Sequence, residues 1–411
     1  MMDLVKSLSF HIENYDHMQR LDDKLSPVLK YALSLTCFLA YYSGISFLLK
    51  YIVRSALRKK KLANESIVTF VFSKNHELVR RQLADAEISY PVYDLSFQNT
   101  TKSSSVKVRY FSSILLILAV LANAKLYLDN VKNYKGNEIV ENNKLKVFKL
   151  AGYKLFFEIL TEDCKLVIKF NDHIFNSMLL HEVCEQQEVK TVYVQHAPVS
   201  PRFPALHHDL NVLFSQDSLA KYRTLDVPKK IFEWVDIRLL ASERFKKDQL
   251  DGRGAVLFAV NILDDLSKVK ELVQELTMHF SVIVRPHPRE SRDLSGLLIN
   301  KVSLSKGTSI WEDMNQCEFV LCNESAVPLE AIYYGRSYYK TAMVSKSMDS
   351  YGFMSRGLIT EEFKNSQVLI EAMLAGKKCF DESHLNYYIG DMPKYAILAK
   401  QLKLEIEALA N

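Results

Sequence analysis

The sequence predicts an α/β protein with two Rossmann-like domains, each an open parallel sheet with helices on both faces, behind an apolar helical N-terminal segment. Three observations predict it. From Ser66 onward, short β-branched runs alternate with helical stretches, the pattern of strands joined by helical crossovers. The alternation pauses at a polar segment, Ser242 to Gly254, and then begins again. A nearly uncharged stretch, Tyr31 to Leu49, precedes it all. The boundaries read as 1–62 for the apolar segment, 63–243 for the first domain, 244–385 for the second and 386–411 for a closing helix.

The elements follow in order. Residues 1–27 are mixed and polar, with Glu13, Asp16, Asp22 and Asp23, unlike a secretory signal. Tyr31 to Leu49 carries no charge, and Lys30 and Lys50 flank it; Arg54, Arg58 and Lys59 to Lys61 follow. A spanning helix needs about 20 apolar residues, and Ser34, Thr36, Ser43, Gly44 and Ser46 dilute this run. Three arrangements stay open: a helix lying in the membrane interface, a buried helix, and a true span. A span would put everything after it in the cytoplasm, because the basic cluster follows it. Tyr110 to Leu128 is too short to span comfortably and reads as a core helix of the first domain.

Strands are expected at 66–72, 90–95, 164–170, 190–196 and 210–215, with helices at 75–87 and 177–187. In the second domain strands are expected at 255–261, 281–288, 319–322 and 337–342. Helices are expected at 264–280 and at 326–335, the latter ended by Gly335, and a last helix at 391–411 that packs back across the domains.

The bulk numbers narrow the function. At 411 residues, 48% apolar and 25% charged, the chain can bury large cores. A net charge of +5 is too small to indicate a nucleic-acid binder; it suits an anionic lipid surface or a phosphorylated substrate. The six cysteines include no CxxC pair and no partners at zinc spacing, so they read as reduced, mostly buried thiols. Neither a GxGxxG nor a GxxxxGK[ST] sequence is present, which leaves out the common dinucleotide and NTPase fingerprints.

Chemistry collects where expected strands end, which is where open α/β sheets bind ligands. "VIVRPHPRE" (282–290) ends in Arg285, His287 and Arg289, stiffened by two prolines and suited to a phosphate. "LCNESAVPLEAIYYG" (321–335) ends a strand in Asn323, Glu324 and Ser325. Ser325 is placed to cap the helix that follows, and Glu330 one turn in could accept from a ribose diol. In the first domain, "KFNDHIF" presents Asn171, Asp172 and His173, and "YVQHAPVSPRFP" presents Gln195, His196 and Arg202. His196 and Asp172 are the candidate catalytic groups. Gln195 and Arg202 are candidate acceptor contacts, with Phe203 and Pro204 shaping the loop. His173, His207 and His208 read as surface residues.

Together, "QHA" (195–197), "ASERF" (241–245), "RPHP" (285–288) and "NES…PLEA…G" (323–335) resemble GT-B glycosyltransferases of bacterial surface polysaccharides, in particular the CDP-glycerol glycerophosphotransferase and HP-motif sialyltransferase group. The resemblance covers about residues 160–340. It implies an active site between the domains, with the acceptor on the first and a nucleotide donor on the second. His287 and Ser325 would meet the donor phosphate, with Arg285, Asn323 and Glu324 beside them, and Glu330 would hold the ribose. His196, or else Asp172, would take the acceptor proton. CMP- or CDP-linked donors are favoured, with UDP or GDP open, and neither a metal nor another cofactor is expected. The partners would be a nucleotide-activated sugar and a glycan or lipid-linked acceptor, with no nucleic acid, at the cytoplasmic face of the bacterial inner membrane. Ala197 stands where the family often has glycine, and Glu324-Ser325 where it has a serine pair. Two other readings remain: a UDP-N-acetylglucosamine 2-epimerase-like enzyme, and a non-catalytic GT-B scaffold of a polysaccharide-assembly complex.

Overall fold

Each half of the chain folds about its own parallel sheet, and the two sheets repeat one topology. The computed structural model describes residues 27–62, 65–95, 108–110, 113–133, 144–200, 203–226, 228–240, 254–288, 290–307, 309–346 and 348–411. The described residues open with helices α1 (Pro27–Tyr42) and α2 (Ile45–Lys60). Strand β1 (Ile67–Val71), helix α3 (Lys74–Asp85) and strands β2 (Val92–Asp94) and β3 (Val108–Tyr110) follow. Then come α4 (Ser113–Ala122), α5 (Ala124–Asn133) and α6 (Lys144–Leu160). Strand β4 (Leu166–Lys169), α7 (Phe175–Gln186), β5 (Lys190–Val194), β6 (Leu210–Leu213), α8 (Gln216–Arg223) and β7 (Ile231–Glu233) complete this half.

The first sheet is seven-stranded, in the order β3-β2-β1-β4-β5-β6-β7, with every pairing parallel. Its central strands are buried on both faces, which explains why they read as unbroken apolar runs. Chain direction across the sheet reverses between β1 and β4, so the crevice for a ligand lies at the carboxyl ends of those two strands. The expected single helix over 110–128 is two, α4 and α5, broken at Asn123. The Asn123 side chain donates to the Ala151 carbonyl at 2.9 Å. Gly152 on α6 lets α4 approach closely: a Cβ there would stand 2.7 Å from Val120.

The second sheet has strands β8 (Ala255–Val260), β9 (Ser281–Pro286), β10 (Val302–Leu304), β11 (Phe319–Cys322), β12 (Ser337–Thr341) and β13 (Glu362–Phe363). Their order is β10-β9-β8-β11-β12-β13, and the equivalent crevice lies between β8 and β11. Its helices are α9 (Leu266–Leu276), α10 (Ile310–Met314), α11 (Val327–Tyr333) and α12 (Ser366–Leu374), and each half has its own apolar core.

The chain then returns. Helix α13 (Leu385–Ile389) ends at Gly390, whose φ of 78° and tight fit both exclude a side chain. A Cβ at Gly390 would lie 2.5 Å from the Trp234 carbonyl oxygen and 2.6 Å from that of Phe214. The Asp236 N–H donates to the Ile389 carbonyl at 2.7 Å. The final helix α14 (Tyr395–Ala410) buries Ala399, Leu402 and Ile406 in the core of the first domain beside Trp234 and Val235. The two domains are thus strapped together along one side, next to the ends of the first sheet.

Among the described residues no single helix is long and apolar enough to cross a membrane; α1 and α2 meet at a bend of 94°. The six cysteines are unpaired, five of them buried. The linker residues 241–253, including all of "ASERF", lie outside the described residues.

Candidate active site

The carboxyl ends of β1, β4 and β5, three adjacent strands, each deliver an imidazole to one crevice. After β1, Ser73 caps α3 by accepting from the His76 N–H, which fixes His76 in the first turn, buried. After β4, the Asn171 side chain accepts from the His173 and Ile174 N–H groups at 2.9 and 2.7 Å. This Asx turn aims Asp172 and His173 away from the strand. After β5 comes His196. Its ring lies 5.1 Å from that of His76, edge to face, and 6.4 Å from that of His173.

Asp172 and His173 form a carboxylate–imidazole dyad, His173 Nδ1 to Asp172 Oδ1 at 2.7 Å. Tyr222, from α8, donates its hydroxyl to the other carboxylate oxygen. Burial alone would push the Asp172 carboxyl up, but the His173 charge and the His173 and Tyr222 hydrogen bonds outweigh it and hold it below its ordinary value. An ionised carboxylate only accepts, so Nδ1 carries the proton and the lone pair of a neutral His173 sits on Nε2. Phe203 packs on this ring at 4.3 Å. His173 is therefore half-buried in the site, a correction to its reading as a surface residue. Asp172 reaches a substrate only through it, since both carboxylate oxygens are engaged.

His196 is partly buried, and among the described residues its Nδ1 has no hydrogen-bond partner. Burial, then the charges of His173 and Arg238, push this imidazole down to about 4, although Asp172 and a hydrogen bond with the Phe170 backbone pull the other way. Such a ring is neutral at pH 7 but takes up a proton reluctantly. Gln195 lies beneath it, buried, with its amide spent on Ala197, Ser218 and the Phe214 N–H. It shapes the loop and is not held out to an acceptor, which corrects that expectation. Arg202 lies outside the described residues.

The seam between the domains carries a second cluster. Arg238, just past β7, holds Asp236 through Nε at 2.9 Å and faces Glu330 of α11, Nη1 to Oε1 at 3.6 Å. Burial works against its charge, but Asp236 and Glu330 more than compensate and Arg238 stays cationic. Burial, and then Asp236, raise the Glu330 carboxyl against the pull of Arg238 and Arg285. Arg238 also depresses His196, so the imidazole cluster and Glu330 share one field across the seam.

The second crevice is polar and tightly tied. Asn261, after β8, donates to the Glu324 carbonyl at 2.6 Å, and Asn323 donates to Ser345 at 2.8 Å. The Asn323 side-chain oxygen is buried with no partner among the described residues. Glu324 pairs with Lys340 at 2.8 Å and accepts from the Met348, Asp349 and Ser350 N–H groups. Burial raises this carboxyl, yet those groups hold it at about 2. Glu324 therefore organises the 348–350 turn and is no open donor ligand, a correction to its expected role. Arg285 is likewise committed, its Nη1 binding Asp313, Ser305 and the Gly307 and Ser309 carbonyls. Ser325 sits one residue before the cap position, Ala326, and its hydroxyl accepts from the Val327 N–H at 3.2 Å. His287 follows β9, half-buried, and its carbonyl accepts from the Glu290 N–H to close the turn. Arg292 fastens that turn by bonding Glu290 and the Asn261 and Asp264 carbonyls.

Sequence reasoning passed over His76, Tyr222, Asp236 and Arg238. The strand-end rule could have found His76, six residues beyond Phe70 in an expected strand. The other three acquire meaning only from partners far along the chain. Among the described residues no group of three or more His, Cys, Asp or Glu side chains is arranged to hold a metal.

No family model matches this sequence, and no curated protein matches it. Solved structures do share its architecture. The Neisseria meningitidis UDP-GlcNAc 2-epimerase bound to UDP-GlcNAc is 10% identical with a TM-score of 0.50, over 83% of this chain and 99% of that one. S. aureus MnaA with UDP is 9% identical with a TM-score of 0.50, over 84% and 96%. The wall teichoic acid polymerase TagF is 9% identical with a TM-score of 0.50, over 93% and 99%. At these identities the likeness carries the fold, and the fold is the two-domain GT-B arrangement that the sequence predicts.

Proposed function

We propose that this chain is a transferase of bacterial surface-glycan assembly, moving a sugar or polyol phosphate from a nucleotide-activated donor to an acceptor hydroxyl. The observation that carries the reading is the Asp172–His173 dyad at the first sheet's crevice, beside His196, whose imidazole feels both His173 and Arg238 of the interdomain seam. A carboxylate-oriented imidazole is built to take a proton. A polar crevice at the same ends of the second sheet suits a nucleotide.

In this mechanism the acceptor hydroxyl gives its proton to His173 Nε2 while Asp172 holds the ring and balances the imidazolium. The acceptor oxygen bonds to the electrophilic centre of the donor, and the nucleotide leaves with the electron pair of the broken bond. His287 and Ser325 meet the charge growing on the departing phosphate, and Glu330 accepts from the ribose. His196, neutral and next to His173, contacts the acceptor. The motif resemblance favours CMP- or CDP-linked donors over UDP- or GDP-linked ones. The acceptor is a glycan or lipid-linked glycan at the cytoplasmic face of the inner membrane.

Nucleotide release from CDP-glycerol and from CMP-, UDP- and GDP-sugars, measured chromatographically with and without a glycan acceptor, tests this. The expected result is acceptor-dependent release from one nucleotide class. Acceptor-independent conversion of UDP-N-acetylglucosamine to a product inverted at C2 of the sugar, N-acetylmannosamine free or still linked to UDP, would select the epimerase reading. Neither nucleotide release nor C2 inversion with any donor by folded protein would select the scaffold.

A further inference from the structure

Helix α2 is held to the first domain by Val53 and Leu57, both fully buried. Its opposite face has no covering element among the described residues. Phe47, Leu48, Tyr51 and Ile52 stand there, with Phe47 82% and Tyr51 73% exposed. The same stripe continues into Ser55, Arg58 and Lys59, all exposed. These positions recur at helical spacing, so one face runs from apolar to basic along its length. Phe38 and Leu39 of α1 and Ile114 of α4 extend the apolar part, and both helices pack against α2. About half of the large apolar side chains that the described chain exposes lie on these three helices. A patch of this kind is an interaction site.

We infer that this face docks on an anionic lipid bilayer, with α1 and α2 lying in the interface. A bilayer offers hydrocarbon to the apolar side chains of this face and anionic headgroups to its basic ones. The 94° bend between the helices suits lying on the surface rather than crossing it. A second copy of the chain would bring another basic end; on the stripe itself Arg58 pairs with Glu162 at 3.3 Å. Tyr51, at the step from apolar to basic, sits where the amphipathic ring prefers the headgroup level. The inference deepens the proposed function by giving its lipid-linked acceptor a surface, but its test needs no turnover.

Co-sedimentation of the full chain with vesicles of phosphatidylcholine alone, or mixed in equal parts with phosphatidylglycerol, decides it. The wild type should bind the mixed vesicles, and added salt should weaken the binding. Phe47→Asp with Tyr51→Asp should cut the partitioning at least about tenfold. Arg54→Glu with Lys59→Glu should abolish the preference for phosphatidylglycerol. Unchanged thermal melts would show both variants folded. No wild-type binding overturns the inference. So does equal binding by the Phe47/Tyr51 variant. A wild-type dimer that this variant dissociates, without vesicle binding, gives the face to a second copy.

Discussion

Replacing His173 with alanine is expected to lower turnover about a thousandfold while leaving nucleotide affinity within about twofold. The dyad is the reason. Asp172 holds Nδ1 at 2.7 Å and Tyr222 holds Asp172, so ring, tautomer and charge are set before substrate arrives. Asp172→Asn keeps the shape but removes the charge that favours the imidazolium, and an amide can hold the ring in the wrong tautomer. It should cost at least about a hundredfold and move the acidic limb of the pH–rate profile. His196→Ala should cost less, because a ring held down at about 4 is a poor proton acceptor near neutrality. A merely structural role for His173 would lower stability and leave the shape of the pH profile unchanged. If His173→Ala retains turnover and His196→Ala loses it, the base is His196 and the dyad only supports it.

The second large effect is on acid stability. His76, His181, His196 and His208 are each held below the ordinary imidazole range, with burial the largest cause in every case. His181 and His208 sit under the first sheet, Nδ1 to Nδ1 at 3.2 Å, beside the buried Lys169. A depressed imidazole costs nothing above its unfolded value, because both states are then neutral. As pH falls from about 6.5, the unfolded chain binds protons that the folded chain refuses, down to about 4 for His196 and about 3 for His181. Stability should therefore fall with pH across that window, by about 3 kcal/mol for His196 alone. Asp217, Asp264 and Glu330, whose carboxyls burial raises, oppose this as they take up protons in the folded chain first. Urea titrations at several pH values between 7 and 4 read the slope, and His181→Asn with His208→Gln should flatten it. A midpoint independent of pH across that range would contradict the assignment.

What could be read from the sequence follows from how local each cause is. Strands such as Ala255–Val260 and Lys190–Val194 are central, buried on both faces, and written as apolar runs. The edge strands β3 and β7 have three residues each, too few to carry a period, and were passed over. The strand-end rule places Asp172, His196 and the His287 turn at the mouths of the two crevices, where the structure also has them. Local reading failed wherever a partner is distant. His208 reads as exposed beside His207, yet it is buried because His181, 27 positions earlier, completes its site. Glu324 and Arg285 look like open ligands until Lys340 and Asp313 fold against them. Arg238 has no motif around it, and only the seam between the domains gives it Glu330.

The most direct test of nucleotide-dependent chemistry in this crevice is thermal unfolding with CMP, CDP, UMP, UDP, GDP or buffer, on the wild type and on His287→Ala. A ligand that binds only the folded chain must stabilise it, by about 2.7 kcal/mol at a hundredfold excess over its dissociation constant. One nucleotide class should raise the wild-type midpoint by a few degrees, and the shift should disappear in His287→Ala. A folded wild type that no nucleotide stabilises would contradict the donor site and leave the non-catalytic scaffold as the standing explanation.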